Sequence, residues 1–128
     1  MFEVRVNTDF AAAHFLRDYH GKCENLHGHN YEVYAHVRGT ETDEGGMLMD
    51  FSVLKDTLRT VCGRLDHKNL NDFDVFKQNP SAERIAKFIF DAIVEEIPAL
   101  KKSGESGAFL YAVDVFETKS SRARYFVD

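Results

Sequence analysis

The sequence contains little of what marks secreted, disulfide-bonded or membrane proteins. It has no tryptophan and, among 128 residues, only two prolines and two cysteines. Two cysteines in a chain whose start lacks a signal-peptide pattern do not form a disulfide framework. No apolar run approaches the roughly 20 residues that a membrane-spanning helix requires. We therefore expect a cytoplasmic protein with no membrane segment and no membrane partner.

An excess of positive charge is also lacking. Lysine and arginine number 16 against 21 aspartates and glutamates, which gives a formal net charge of −5. General nucleic-acid binders present positive charge to phosphates, so the composition argues against that class, although a local basic pocket for a small anion remains open. The length of the chain predicts one domain spanning residues 1–128.

Reactive side chains are concentrated between residues 14 and 29, which hold four of the six histidines. His27 and His29 are two residues apart, so in an extended segment both imidazoles face the same side. Neutral imidazole is a common zinc ligand, and catalytic zinc usually takes three protein ligands and keeps one position open. The third ligand is predicted to be His14, which ends an apolar run, with His20 as the competing candidate.

Four further residues carry groups suited to catalysis or binding. Cys23 lies four residues before His27, where a cation would favour its thiolate as a base or nucleophile, or where it is itself a metal ligand. Asp66 and His67 place an acid beside a base, or simply follow a helix end. Glu117 ends an apolar strand, and its carboxylate either accepts two parallel hydrogen bonds from a planar ligand or lies on the surface.

Periodicity predicts four strands and two helices. Alternation of apolar and polar residues gives strands over residues 2–13, 30–40, 109–117 and 122–127. Apolar residues at helical spacing give the helices, one capped by Asp50 with Phe51 opening its apolar stripe, the other starting at Pro80 with Asn79 as its cap. The order ββααββ predicts an α+β fold with both helices on one face of an antiparallel sheet.

Two finer expectations follow from the strand alternation. His36 falls on the polar side of its strand and is predicted to be a surface histidine. Phe109 and Tyr111 are predicted to share one strand face with Val113 and Val115. The number of aromatic residues on the strands indicates that the sheet also contacts other subunits.

Six motifs occur in order along nearly the whole chain, and together they resemble the 6-pyruvoyltetrahydropterin synthase family. The resemblance is closer to its bacterial branch, the 6-carboxytetrahydropterin synthases of queuosine biosynthesis. The motifs are Phe10-Ala-Ala-Ala-His14, Cys23-x-x-x-His27-Gly-His29, Gly46 to Phe51, Leu65-Asp66-His67, Asn79-Pro-Ser-Ala-Glu83 and Glu117-Thr118.

The resemblance implies a fold, an assembly and a reaction. The family has the tunnelling fold, or T-fold, a four-stranded antiparallel sheet with two helices on one face. Three subunits join their sheets into a barrel, two trimers stack into a homohexamer, and active sites lie between subunits. The implied substrate is dihydroneopterin triphosphate, which the bacterial enzymes convert to 6-carboxytetrahydropterin with release of acetaldehyde and triphosphate.

The resemblance also implies roles for individual residues. By position, the zinc (Zn2+) ligands are His14, His27 and His29, and the catalytic residues are Cys23, Asp66 and His67, with the last two contributed across the subunit interface. Glu117 matches the anchor of the pterin ring, and Thr118 and Glu83 lie in motifs that we assign to substrate binding.

Glu24 is the main departure from the pattern. A glutamate at that position resembles a subgroup that makes 6-hydroxymethyldihydropterin for folate synthesis, whereas here cysteine and glutamate stand together. The alternatives are therefore a folate-pathway or dual-function enzyme, 6-pyruvoyltetrahydropterin synthase activity, or a non-enzymatic zinc-stabilised pterin-binding protein. Glu24 as an exposed loop residue is the simpler interpretation. Where the family often has threonine and serine, this chain has Ser81 and Ala82.

Overall fold

A computed structural model describes residues 1–16, 25–103 and 107–128. The predicted candidates His20, Cys23 and Glu24 lie outside the described residues. The main elements are β1 (Phe2–His14), β2 (His27–Gly39), α1 (Phe51–Gly63), α2 (Ala82–Glu96), β3 (Phe109–Thr118) and β4 (Ser121–Phe126). The predicted order ββααββ is confirmed, and in the described part of the chain no helix is long and apolar enough to span a membrane.

The four strands form one antiparallel sheet in the order β1-β2-β3-β4. β1 pairs with β2 along its whole length, from Phe2 opposite Gly39 to His14 opposite His27. Both strands begin or end closer to the connection between them than their alternation indicated. β1 continues to His14, and β2 begins at His27 rather than at Asn30. This register places two of the predicted metal ligands side by side at one end of the sheet.

The helices cover one face of the sheet and form the hydrophobic core with it. The buried stripes of α1 and α2 include Leu54, Leu58, Ile85 and Ile89, all fully buried. Residues in alternation on β2, such as Val33, complete this core. Burying such side chains contributes about 1.5–3 kcal/mol each to stability, so the stripes dominate the folding of the domain.

The helix starts differ in part from the prediction. Asp50 caps α1 as expected, because its carboxylate accepts a hydrogen bond from the Ser52 amide. Phe51, however, is exposed and does not join the buried stripe. The α2 prediction was wrong by two residues: the cap is Ser81, whose hydroxyl accepts from the Arg84 amide, and Ala82 rather than Pro80 opens the helix.

A β-bulge overturns the predicted face of β3. The register between β2 and β3 shifts after His36, so that Val37 pairs with Leu110 while His36 pairs with Ala112. The extra residue, Tyr111, breaks the alternation of β3. Leu110 is therefore buried with the helices, whereas the Tyr111 ring lies under the Arg38 guanidinium on the other face of the sheet.

The face without helices carries a buried ionic network that contradicts the prediction of a surface His36. Only 5% of His36 is exposed, and its Nε2 lies 2.8 Å from Asp114 Oδ2. Asp114 also accepts two hydrogen bonds from Arg124, at 2.6 and 2.9 Å. Burial alone raises the pKa of Asp114, but the hydrogen bonds from Arg124 and His36 outweigh it, so the net pKa is lowered.

Candidate metal and substrate site

Three histidines converge where β1 ends and β2 begins. His14 is the last residue of β1, His27 faces it across the strand pair, and His29 follows on the same side of β2. The ligand nitrogens of His14, His27 and His29 all lie within 4.8 Å of one another. His14 is 1% exposed and the other two are half-buried. The structure thus brings together the three residues predicted as metal ligands.

The hydrogen bonds of two of these histidines define which nitrogen carries the proton. His14 Nδ1 lies 2.8 Å from the Pro80 carbonyl oxygen, and His27 Nδ1 lies 2.7 Å from the Asn25 carbonyl oxygen. A carbonyl only accepts, so each Nδ1 is the protonated nitrogen. The two Nε2 atoms of the neutral rings then carry lone pairs, and they face each other at 2.9 Å. Two facing lone pairs repel unless a cation lies between them.

At two of the three histidines, His14 and His29, the surroundings oppose protonation. Burial lowers the pKa of His14, and the neighbouring imidazoles of His27 and His29 lower it further, although Pro80 and Glu117 act in the opposite direction. Burial likewise lowers the pKa of His29. Neutral imidazoles with their lone pairs converging are the donor set that a borderline-soft divalent cation takes. The residues present therefore fit a metal ion.

Glu117 lies beside this cluster. Its Oε1 is 3.5 Å from His14 Nε2, and its side chain is partly exposed. It borders a cleft of about 350 Å³ together with Glu83, Arg122 and Arg124, at the start of α2 and along β4. The structure thus brings Glu117 and Glu83, two predicted substrate residues, to one cleft next to the predicted metal ligands.

Thr118 lies on the other side of Glu117. It is exposed, and its hydroxyl accepts a hydrogen bond from the Ser120 amide in the β3–β4 turn. With Glu117 it borders a second cleft of about 320 Å³, on which Asn30 and Lys119 also lie. Thr118 therefore remains near the site without contacting the histidines.

Asp66 and His67 contact each other, which adjacent residues do not always achieve. His67 Nδ1 lies 2.9 Å from Asp66 Oδ2, and His67 has a left-handed backbone with φ of 58°. This uncommon conformation turns the two side chains together, and strained residues of this kind cluster at functional sites. The His67 side chain is 83% exposed, and it contacts Asp66 through Nδ1 and not through Nε2.

The pair is fastened to the outer edge of β1. The Ala11 amide donates to Asp66 Oδ1 at 2.9 Å, and the His67 amide donates to the Ala11 carbonyl at 2.6 Å. The Ala11 hydrogen bond is the main cause of a lowered Asp66 pKa, which burial opposes and His67 reinforces. His67 and His29 both line an open cleft of about 510 Å³. The strand that carries His14 therefore also positions Asp66 and His67.

Sequence reasoning missed two groups that contact His14. One is the backbone carbonyl of Pro80, for which a residue type gives no signal. The other is the hydroxyl of Tyr31, 3.1 Å from His14 Nδ1. The available signal was alternation, because Tyr31 lies two residues after His29 and so faces the same side of β2.

Comparisons with known proteins agree with this geometry. The family model described as 6-pyruvoyl tetrahydropterin synthase matches residues 3–127. A 6-carboxy-5,6,7,8-tetrahydropterin synthase from Synechocystis is 42% identical over 98% of this chain and 94% of its own length.

Two solved structures extend the similarity to three dimensions. Caenorhabditis elegans 6-pyruvoyl tetrahydropterin synthase has a TM-score of 0.83 at 27% identity, over 99% of this chain and 96% of that chain. A Plasmodium vivax 6-pyruvoyltetrahydropterin synthase in which a catalytic glutamate is replaced by cysteine has a TM-score of 0.74 at 28% identity, over 97% of this chain and 96% of that chain. The predicted T-fold is confirmed, and the chain belongs to the 6-pyruvoyl tetrahydropterin synthase family.

Proposed function

We propose that this pterin-processing lyase is a zinc-dependent 6-carboxytetrahydropterin synthase acting in queuosine biosynthesis. It converts 7,8-dihydroneopterin triphosphate to 6-carboxy-5,6,7,8-tetrahydropterin, consuming one water and releasing acetaldehyde and triphosphate. The observation that carries the metal requirement is the convergence of the ring nitrogens of His14, His27 and His29 within 4.8 Å of one another, with the Nε2 atoms of His14 and His27 2.9 Å apart. The 42% identity to the Synechocystis 6-carboxytetrahydropterin synthase supports this reaction.

His14, His27 and His29 would hold the zinc ion and leave a position open to the substrate. Bound there, zinc supplies Lewis acidity toward the side-chain oxygens of the substrate. Glu117 fixes the other end of the substrate, because its two carboxylate oxygens accept hydrogen bonds from the planar donor edge of a pterin. Glu117 Oε1 lies 3.5 Å from His14 Nε2. A pterin ring bound to Glu117 would therefore hold the side chain of the substrate in a fixed position relative to the metal site. Glu83 and Thr118 line the adjoining clefts and complete the substrate contacts.

Proton transfer is assigned to two groups. Cys23 lies four residues before His27, and a thiol close to a bound cation serves as a base near neutral pH. His67 is the second group, with Nδ1 held by Asp66 and Nε2 left to exchange a proton with the substrate. Asp66 keeps that tautomer and stabilises the protonated ring.

We further propose that the site is completed by a second subunit in a homohexamer of two stacked trimers. His67 is 83% exposed in one chain, as expected for a residue that reaches a neighbouring active site. β1 and β4 are the edges of the sheet, and apart from the end of β1 that residues 66–69 cover, they leave backbone groups for pairing with other copies.

Product identification after turnover tests the proposed reaction. Protein loaded with zinc is incubated with dihydroneopterin triphosphate, and the products are separated and identified by mass. Acetaldehyde and 6-carboxytetrahydropterin in equal amounts are expected. Exclusive formation of another pterin, or binding of the substrate without turnover, contradicts the proposal.

Subunit mixing tests the shared site. Cys23→Ala and His67→Ala proteins are each expected to be inactive, whereas hexamers assembled from both contain some complete sites. Partial recovery of activity after subunit exchange is the expected result. Absence of recovery, with exchange verified by a mass-tagged subunit, contradicts a site built from two chains.

A second candidate function rests on Glu24. In the similar Plasmodium vivax enzyme a glutamate is a catalytic residue, and here Glu24 stands beside Cys23. Glu24 would support formation of 6-hydroxymethyl-7,8-dihydropterin, and Cys23 the carboxylated product. Cys23→Ala is expected to abolish 6-carboxytetrahydropterin and spare the second pterin, and Glu24→Ala to do the reverse. Unchanged yields of both products in Glu24→Ala remove the dual-function candidate.

A further inference from the structure

Tyr31 lies inside the wall of the metal site, yet the proposed reaction assigns it no role. It follows His29 by two residues on β2 and is fully buried. Its ring stacks on Phe10 at 4.8 Å and meets the rings of His14 and His29 edge to face, at 5.8 and 5.4 Å. Tyr31 is therefore held rigidly against two metal-ligand residues.

The hydroxyl of Tyr31 has one polar contact among the described residues, His14 Nδ1 at 3.1 Å. That nitrogen carries a proton, because it lies 2.8 Å from the Pro80 carbonyl. The tyrosine oxygen therefore accepts a share of the same N–H, and the proton lies between two acceptors.

The two acceptors come from different parts of the fold. Pro80 belongs to the segment that leads into α2, whereas Tyr31 is part of the sheet that carries the metal ligands. With the Pro80 carbonyl alone, the His14 ring retains freedom to pivot about that single hydrogen bond. A second acceptor on β2 fixes the plane of the ring relative to His27 and His29, and thereby the direction of the Nε2 lone pair.

We infer that Tyr31 is a positioning residue that orients the ring of His14 toward the metal. The inference rests on the metal site of the proposed function. Groups that hold the second nitrogen of a metal-bound histidine typically change metal affinity or activity by about 10- to 100-fold when removed. Because Pro80 still holds His14 when Tyr31 is altered, the lower end of that range applies, about 10-fold.

Tyr31→Phe removes the oxygen and keeps the ring that stacks on Phe10. The matched control is Tyr34→Phe, three residues along the same strand, whose hydroxyl instead donates to Glu32 at 2.9 Å on the face away from the helices. Full-length proteins are freed of metal and titrated with zinc in competition with a chromophoric chelator. Tyr31→Phe is expected to bind zinc about 10-fold more weakly than wild type, and Tyr34→Phe to match wild type.

Two further readouts separate positioning from packing. The melting temperature of metal-free Tyr31→Phe is expected to stay within about 3 °C of wild type, since its packing is kept. Cobalt(II) substituted for zinc is expected to give a visible absorption spectrum altered in Tyr31→Phe, because ligand orientation determines it. This spectrum does not depend on turnover.

The outcomes distinguish failure of the inference about Tyr31 from failure of the proposed function. Wild-type zinc affinity and an unchanged cobalt spectrum in Tyr31→Phe overturn the inference and leave the proposed function intact. A weaker affinity accompanied by a large drop in metal-free melting temperature, with the cobalt spectrum unchanged, assigns Tyr31 to packing and also overturns it. Failure of wild-type protein to bind zinc stoichiometrically overturns both.

Discussion

Two buried histidines lie on opposite faces of the sheet, His14 at 1% exposure and His36 at 5%. His14 is surrounded by two more imidazoles and a carbonyl, all of which are electron-pair donors. His36 lies between the carboxylates of Asp114 and Glu3, and Arg124 neutralises Asp114. Both histidines have polar surroundings, but within the described part of the chain only those of His36 include a cation, the guanidinium of Arg124.

The difference explains why burial of a histidine alone does not mark a functional site. Around His36 the protein supplies both signs of charge, since the Arg124 guanidinium balances the carboxylate of Asp114 without an external ion. Around His14 the lone pairs converge and the surroundings supply no cation to the facing Nε2 atoms. A cluster that is deficient in positive charge is the one suited to hold a metal ion.

The largest expected effect is the loss of metal and activity when a ligand is removed. His27→Gln is expected to contain less than stoichiometric zinc and to lose more than about 100-fold in activity, beyond what loss of a supporting contact costs. The matched variant His36→Gln is expected to keep its zinc and its activity. Metal content by atomic absorption and turnover of dihydroneopterin triphosphate are the measurements. Equal zinc in both variants would remove the distinction between the two clusters.

The second effect is a loss of stability, and it is expected for the Asp114 network and not for the histidine cluster. Asp114→Asn leaves Arg124 and His36 without their carboxylate, and breaking a buried pair of this kind costs about 3–5 kcal/mol. Asp91→Asn, which breaks the exposed contact with Lys87, is the control and is expected to cost less than about 1 kcal/mol. Urea unfolding measures both. If Asp114→Asn unfolds like the control, the network is not a structural unit.

The third effect is a gain in stability when zinc is added, slightly smaller than the loss expected for Asp114→Asn. At a zinc concentration 100 times the dissociation constant, binding to the folded state alone adds about 2.7 kcal/mol to its stability. Wild type and His36→Gln are expected to gain this stabilisation, and His27→Gln is not. Melting curves of metal-free protein with and without zinc test it. A gain in His27→Gln equal to that of wild type would place the metal elsewhere.

The smallest effect is the pH dependence of the Asp114 network. Because the pKa of Asp114 is lowered in the folded protein, the unfolded chain takes up the proton first as pH falls. The contribution of Asp114 is complete above the ordinary aspartate pKa of about 3.9 and is lost as pH falls through the lowered value. The stability difference between wild type and Asp114→Asn is therefore expected to shrink below about pH 4. A difference that grows with acidification contradicts this assignment.

The parts of the fold that follow local periodicity could be predicted from the sequence. Alternation on β1 and β2 and the helical stripes gave the element order, and the i, i+2 spacing of His27 and His29 put both on one side of a strand. These features depend on neighbours in sequence, where the geometry of the chain is nearly fixed.

The features that depend on distant partners could not be predicted. His36 is buried because Asp114, 78 residues away, pairs with it across β2 and β3. The bulge at Tyr111 changes the face of β3 without any local signal such as glycine. The contact between Asp66 and His67 requires a left-handed residue that the β1 edge holds in place.

The attachment of Asp66 to the edge of β1 has a consequence for hydrogen exchange. Amides on the outer edge of an edge strand usually exchange rapidly with solvent, but the Ala11 and Ala13 amides are bonded to Asp66 Oδ1 and to the Lys68 carbonyl. Their protection reports whether residues 66–69 are docked on the strand. The Ala11 amide also reports the charge of Asp66, since protonation weakens its acceptor. A backbone amide outside the histidine cluster thus provides a spectroscopic record of the ionisation state of Asp66.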